Sequence, residues 1–248
     1  MRSKKTIRIS FGIVFLTLGF SFSFVPIKKN KTDKLILNIK HFVGNLPLKM
    51  DSVTYKNKLG QNFTITKFKY YISNIVLKQE NGNEFKSDNY FLVDEEVENS
   101  KQLVLENVPD GTYTSIEFII GVDSLHNCSG AQSGALDPIN GMFWAWNSGY
   151  IFLKLEGFSS SSKSPGHLYE YHIGGYKQPN NCIRKVFLDL DKIDITKTTA
   201  FFLKADAEEL LENPTSIDFE KLSSVTDHRN APGIADNYKD MFSILKNN

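Results

Sequence analysis

Five histidines, His41, His126, His167, His172 and His228, are the side chains of this chain best suited to hold a metal ion, because imidazole ligates copper, nickel, iron and zinc alike. None stands in an HxH, HxxxH or HExxH arrangement, so any site must be assembled across strands rather than within one local motif. His41 and His172 form the stronger pair, since each falls inside an apolar, strand-like run with no other need of a polar ring. A single histidine in such a run is more often a satisfied core residue than a ligand. Both tryptophans lie in GMFWAWNSGY, where an extended chain would project Trp144 and Trp146 to one side, about 6.5–7 Å apart. Three roles are open to them: buried core aromatics, a platform for stacking a sugar, or an oxidisable group beside a metal. Asp123, Asp137 and Glu156 are the acidic groups that could act as paired carboxylates or calcium ligands, although LDPING reads as a turn capped by Asp137. Ser124, Ser133 and Ser148 each lie near a glycine but none is in a GxSxG elbow. With no nucleophile–base pair in view, a binding role is expected rather than turnover.

These groups must be positioned by strands. In LILNIKHFV, Leu35, Leu37, Ile39, His41 and Val43 share one face under strict alternation, with Asn38 and Lys40 opposite. FTITKFKYYISNIVLKQ changes parity near Phe68 and again near Ile75, which predicts a bulge or a short helical insert. The turn at Pro109-Asp110-Gly111 precedes a strand whose inward face is Ile116, Phe118, Ile120 and Val122. A long polar loop from Ser124 to Gly141 follows, bracketed by strong strands, and loops of that length are often functional. YIFLKLEGF, LYEYHIGGY, RKVFLDLD and TAFFLKAD continue the strand pattern, and the serine run from Ser159 to Ser164 reads as an exposed loop. Only the C-terminal end looks helical, in AEELLEN and IADNYKDMFSIL. The expected fold is all-β, an antiparallel β-sandwich with one long functional loop and short C-terminal helices.

Arg2, Lys4, Lys5 and Arg8 precede an apolar run from Ile9 to about Val25, the pattern of a secretory signal over residues 1–23, with Ser21 and Ser23 as small residues at the cleavage site. An uncleaved anchor starting near Ile7 is the alternative, and either exports the rest. No cysteine stands at the junction, so a lipoprotein signal is not expected. Residues 24–34 read as a polar linker and 35–248 as a single domain, periplasmic or secreted, with no stable membrane span after cleavage. Loss of the four basic residues from 29 Lys and Arg leaves 25 against 28 Asp and Glu, which argues against nucleic-acid binding. Cys128 and Cys182, an even count in an oxidising compartment, admit one disulfide, the alternative being two separate buried thiols.

The stretch GVDSLHNCSGAQSGALDPINGMFWAWNSGYIFLKLEG, followed by YHIGGY and IADNYKDMFSI and preceded by LNIKHFVGNLPL and FTITKFKYYISNIVL, resembles the MbnP-like domain proteins. The resemblance runs from about Leu35 to Leu245, and the GALDP and WNSGY forms are similar to members from the Bacteroidetes branch. It implies a β-rich, secreted or periplasmic copper-binding protein. In relatives from methane-oxidising bacteria, histidines bind copper together with a tryptophan oxidised to kynurenine, whose aryl amine is a donor the indole lacks. The resemblance further implies a partner, a di-haem protein similar to cytochrome c peroxidase, that performs the oxidation. By residue, it places the tryptophan-bearing segment on Trp144-Ala145-Trp146 and the strand ligands on His41 and His172. Trp146 stands where those relatives carry a histidine, which leaves His126 in the long loop as the candidate for the missing ligand. Copper acquisition or storage is thus the expected function. A metal-free module binding carbohydrate or protein through Trp144, Trp146 and Tyr150 is the alternative.

Overall fold

The alternation in residues 35–43 builds the first strand as expected, because Leu35, Leu37, Ile39, His41 and Val43 are all buried. In the computed structural model, which describes residues 32–144, 149–227 and 229–245, the strands in chain order begin with β1 (Thr32–Val43), β2 (Leu46–Pro47), β3 (Tyr55–Lys56) and β4 (Asn62–Gln79). They continue with β5 (Glu84–Ser87), β6 (Phe91–Asp94), β7 (Gln102–Pro109) and β8 (Thr112–Ile120). After helix α1 (Ser124–Cys128) come β9 (Phe143–Trp144), β10 (Gly149–Phe158), β11 (Leu168–Gly174), β12 (Arg184–Asp194) and β13 (Ala200–Asp206). Helix α2 (Glu209–Glu212), β14 (Ser224–Val225), α3 (Ala231–Tyr238) and β15 (Phe242–Leu245) complete the described chain.

Two sheets result. The smaller runs β15-β13-β1, with β7 and β2 also on β1, and the larger runs β12-β8-β4-β10-β11-β14. They face one another as a sandwich in which β1 lies over β4, His41 meeting Phe68 and Tyr70 edge-on at ring-centroid distances of 4.8 and 5.6 Å. The all-β sandwich is therefore as expected, but the sheets are mixed rather than purely antiparallel. β1 pairs in parallel with β13, Leu37 opposite Phe201 and His41 opposite Ala205, and β11 pairs in parallel with β14. A parallel pair needs a long crossover, and here every strand of the larger sheet except β14 lies in sequence between β1 and β13.

Strand β4 is long because it organises that sheet. β6 holds one edge of β4 from Lys69 to Ile72, so β10, on residues 64–70, and β8, on residues 72–79, follow one another along the other edge. The two parity changes are bulges: the register slips at Thr66, between Ile65 and Lys67, and again between Ser73 and Val76, where Asn74 takes a φ of 53°. Bulges rather than a helical insert restore the inward direction of Phe68 and Tyr70.

Three local differences from expectation have physical causes. FSIL continues not as helix but as β15, because Phe242–Leu245 completes the edge of β13, with Phe242 opposite Ala205, and edge pairing overrides helical periodicity. The polar loop contains the short helix α1, started by Asp123, whose side chain accepts the His126 backbone N–H. The serine run is only partly exposed: Ser159 and Ser162 are buried and donate to the carbonyls of Asn62 and Leu168. Asp137 caps the turn before Ile139 as read from LDPING. Among the described residues no helix is long and apolar enough to cross a membrane; the expected signal segment and most of the linker, residues 1–31, lie outside them.

Candidate functional site

Register decides where the two strand histidines point. Residues paired directly across a sheet share a face, and successive residues alternate. Tyr70, Leu153 and Ile173 are mutually paired across β4, β10 and β11, and so are Lys69, Lys154 and His172. Tyr70 faces β1, where its hydroxyl meets His41. His172 therefore lies on the opposite face, with the lysines. The expected convergence of His41 and His172 is not realised, because a full sheet separates the two rings.

His41 is held by its own network. Its Nδ1–H donates to Glu95 Oε2 at 2.6 Å, and its Nε2 accepts the Tyr70 hydroxyl at 2.7 Å. Lys101 closes on the same carboxylate oxygen at 3.2 Å. Burial pushes His41 below its ordinary value against the pull of Glu95. Burial would raise Glu95, but the His41 hydrogen bond and charge, with Lys101, hold it lower. A neutral imidazole donating to an ionised carboxylate satisfies both directions and fixes the tautomer. Both ring nitrogens are thereby used, and His41 has none left for a metal.

His172 is placed differently. Its Nε2 bonds Glu156 Oε1 at 2.8 Å, and that carboxylate is lowered first by this hydrogen bond, with Lys67 at 3.7 Å adding charge. Lys154 on the same face is lowered, chiefly by burial. Two residues beyond His172 is Gly174. A Cβ there would lie 2.7 and 2.9 Å from Cζ3 and Cη2 of Trp144, so the six-membered ring of the indole rests directly on this glycine. Strand alternation puts Gly174 on the His172 face, about 6.5–7 Å along β11. The β10 register slips between Leu153 and Ile151, a bulge at Phe152 that lets Ile151 pair with Gly174 on this face, and Gly149, two residues before Ile151, pairs with Trp144. The glycine pair of YHIGGY was the sequence signal for this close approach, since only a residue without a side chain admits the ring.

Trp144 is 5% exposed and Tyr150 fully buried, so neither offers a face for stacking a sugar. Trp146 and His228 lie outside the described residues. His126 joins a third cluster, with Tyr90 and Asp123: its Nδ1 lies 2.7 Å from the Tyr90 hydroxyl and 3.1 Å from Asp123 Oδ2, and Tyr90 also hydrogen-bonds Asp123. No described contact links this cluster to His172. Nothing in residue order marks Tyr70, Glu95 or Tyr90 as partners of these histidines. The disulfide expectation is corrected: Cys128 and Cys182 are free thiols, the first exposed, the second buried with its pKa pushed up to about 12 by desolvation. Cys128 Sγ donates to the Tyr176 hydroxyl at 3.4 Å instead. Among the described residues no three His, Cys, Asp or Glu side chains gather in a metal-ligating group.

A model of the MbnP family matches residues 32–228. The chain belongs to the MbnP family. The matched span contains His41, His126, Trp144 and His172, so all three clusters are parts of the MbnP domain. MbnP from Methylosinus trichosporium has a similar fold, with a TM-score of 0.53 at 12% identity over 86% of this chain and 98% of that one. At that identity the likeness carries the MbnP architecture alone. Comparison with curated proteins gives no match.

Proposed function

We propose that this MbnP-family protein is an exported, periplasmic or secreted copper-binding protein, acting in metal acquisition or storage, with His172 and an oxidised tryptophan as ligands. The observation that carries the reading is the seat of Trp144 on Gly174, beside His172 on one face of β11. The donor chemistry fits in part. Glu156 takes Nε2 of His172 and leaves Nδ1 as the nitrogen for an ion, the carboxylate–histidine pairing common behind metal ligands. Tryptophan itself offers no lone pair; opening its five-membered ring, with addition of two oxygens across the C2–C3 bond, exposes an aryl amine after loss of the formyl group. A di-haem protein similar to cytochrome c peroxidase is the proposed source of the oxidising equivalents. His41 has no part in the site, since Glu95 and Tyr70 occupy its nitrogens. Bound copper would be stored or passed on; the chain's own residues hold and orient His172 and shield the indole from water, with no turnover assigned to them.

The test is metal analysis joined to intact and peptide mass spectrometry on protein from its native periplasm. Copper together with a kynurenine or N-formylkynurenine mass on the peptide bearing Trp144 and Trp146 is expected. Metal-free protein with both tryptophans intact, even after copper incubation, would remove the proposal.

A further inference from the structure

Each of three histidines is paired with a carboxylate: His41 with Glu95, His172 with Glu156 and His126 with Asp123. In two of them a lysine reaches the same carboxylate, Lys101 at 3.2 Å from Glu95 and Lys67 at 3.7 Å from Glu156. Those carboxylates already have their counter-charge. Burial would raise Asp123, but hydrogen bonds from Tyr90 and His126 and the His126 charge hold it lower, and the neighbour acting on Tyr90 from outside the cluster is another acid, Asp88. Among the described residues no lysine or arginine pairs with Asp123, so the third carboxylate is the one whose only charged partner is its own histidine.

Its donors also converge. Tyr90, just before β6, and Asp123 and His126, at the start of α1, come from segments more than thirty residues apart in sequence. They bring one phenol oxygen, one carboxylate oxygen and one imidazole nitrogen together, with His126 Nδ1 2.7 Å from Tyr90 Oη and 3.1 Å from Asp123 Oδ2. The His126 and Tyr90 rings are 4.5 Å apart, so the imidazole is fixed against the phenol. Asp123 and His126 are about a quarter and a third exposed, open to an ion from solvent.

We propose that Tyr90, Asp123 and His126 form a mixed-donor site for a divalent transition-metal ion, Cu(II) or Zn(II), separate from the His172–Trp144 face. Two hard oxygens and one imidazole suit a divalent ion, whereas monovalent copper prefers sulfur donors. On ligation the phenol proton leaves to solvent, so phenolate and carboxylate together balance the ion's two charges. The site does not depend on tryptophan oxidation.

The experiment is a titration of the metal-stripped full chain with Cu(II) and, separately, Zn(II), followed by calorimetry and visible absorption. The unmodified chain should show a phenolate-to-Cu(II) charge-transfer band. Tyr90→Phe should abolish the band while keeping the ring contact, and should weaken binding at least about 10-fold, the lower end of what even outer partners of a ligand are worth. His126→Gln should weaken both ions similarly, and His172→Gln should leave the band unchanged. Thermal unfolding of each variant separates loss of ligation from loss of fold. A titration without the band overturns the proposal. So does one in which folded Tyr90→Phe and His126→Gln bind as the unmodified chain does. Copper lost only in His172→Gln would overturn this site while leaving the proposed function standing. The reverse pattern would support this site and count against the other.

Discussion

Gly174→Ala probes the geometry on which the proposed function rests. A methyl group there would stand 2.7 and 2.9 Å from the Trp144 ring and closer still to the Tyr150 carbonyl oxygen. The ring can tilt, but the carbonyl belongs to β10, the strand paired with β11, and can move only with its ladder. Overpacking of this kind costs about 1–3 kcal/mol, and the backbone contact places this case in the upper half of that range. For a domain of this size each kcal/mol shifts Tm by about 2–4 °C, so a fall of about 4–12 °C is expected. Thermal unfolding by circular dichroism, with tryptophan emission recorded in parallel, measures both parts. In a Trp144→Leu background the ring contact is gone and only the carbonyl clash remains. The cost of Gly174→Ala should then shrink by about 1 kcal/mol, a coupling typical of residues in contact. An equal cost in both backgrounds, or an unchanged Tm with unchanged emission, would show that the indole does not rest on Gly174. It would take with it the argument that Trp144 and His172 share a face.

Other consequences are as direct. His41 titrates below its ordinary 6.5 and Glu95 below its ordinary 4.5, so on acidification the unfolded chain takes up protons the folded chain refuses. Stability from this pair should be full above about pH 7 and fall as pH drops, by up to about 1.4 kcal/mol per pH unit for each proton refused. Urea midpoints at pH 7 and pH 5 measure it, and identical slopes for the unmodified chain and His41→Phe would contradict it. Under native conditions a thiol-alkylating reagent should label Cys128 alone and reach Cys182 only after unfolding, as mass spectrometry will read; no label in the denatured, unreduced chain would mean that the two are bonded after all. Glu156→Gln should leave the fold intact but weaken copper binding about 10–100-fold, because the Gln amide no longer offers His172 a charged acceptor. Affinity equal to that of the unmodified chain would remove Glu156 from the site.

Much of the fold was legible because strand alternation is a one-dimensional signal. The inward sets 35–43 and 116–122 and the parity breaks in β4 could all be read from residue order. What order cannot carry is the partner of an edge. FSIL has helical spacing and β propensity at once, and the free edge of β13 decides between them. Likewise Thr32–Val43 carries no mark of its parallel neighbour at Ala200–Asp206, a pairing between segments far apart in the chain. At the site, the glycines of YHIGGY mark a close approach only in hindsight, since the approaching group, Trp144, is thirty residues away. The carboxylates that settle the histidines lie 54 residues from His41, 16 from His172 and 3 from His126. Only the last spacing is local enough to read, as an aspartate capping the turn that carries the histidine.

The two strand histidines show how far parity reasoning extends and where it stops. Alternation placed His41 on the buried face of β1, and the structure agrees. It could not say that Tyr70 and Glu95 await it there, nor that His172 belongs to the far face of the sheet bearing Tyr70. Those facts come from register across three strands, and they divide the chemistry. A buried imidazole whose nitrogens are both engaged is a core polar network: when fully satisfied it favours one packing of β1 on β4 over alternatives, at little net gain in stability. His172 is engaged at Nε2 by Glu156, and under the proposed function its Nδ1 is the nitrogen offered to copper. On that proposal, a structural histidine and a ligating one differ in the number of hydrogen-bond partners left to meet, which residue type and apolar surroundings alone do not reveal.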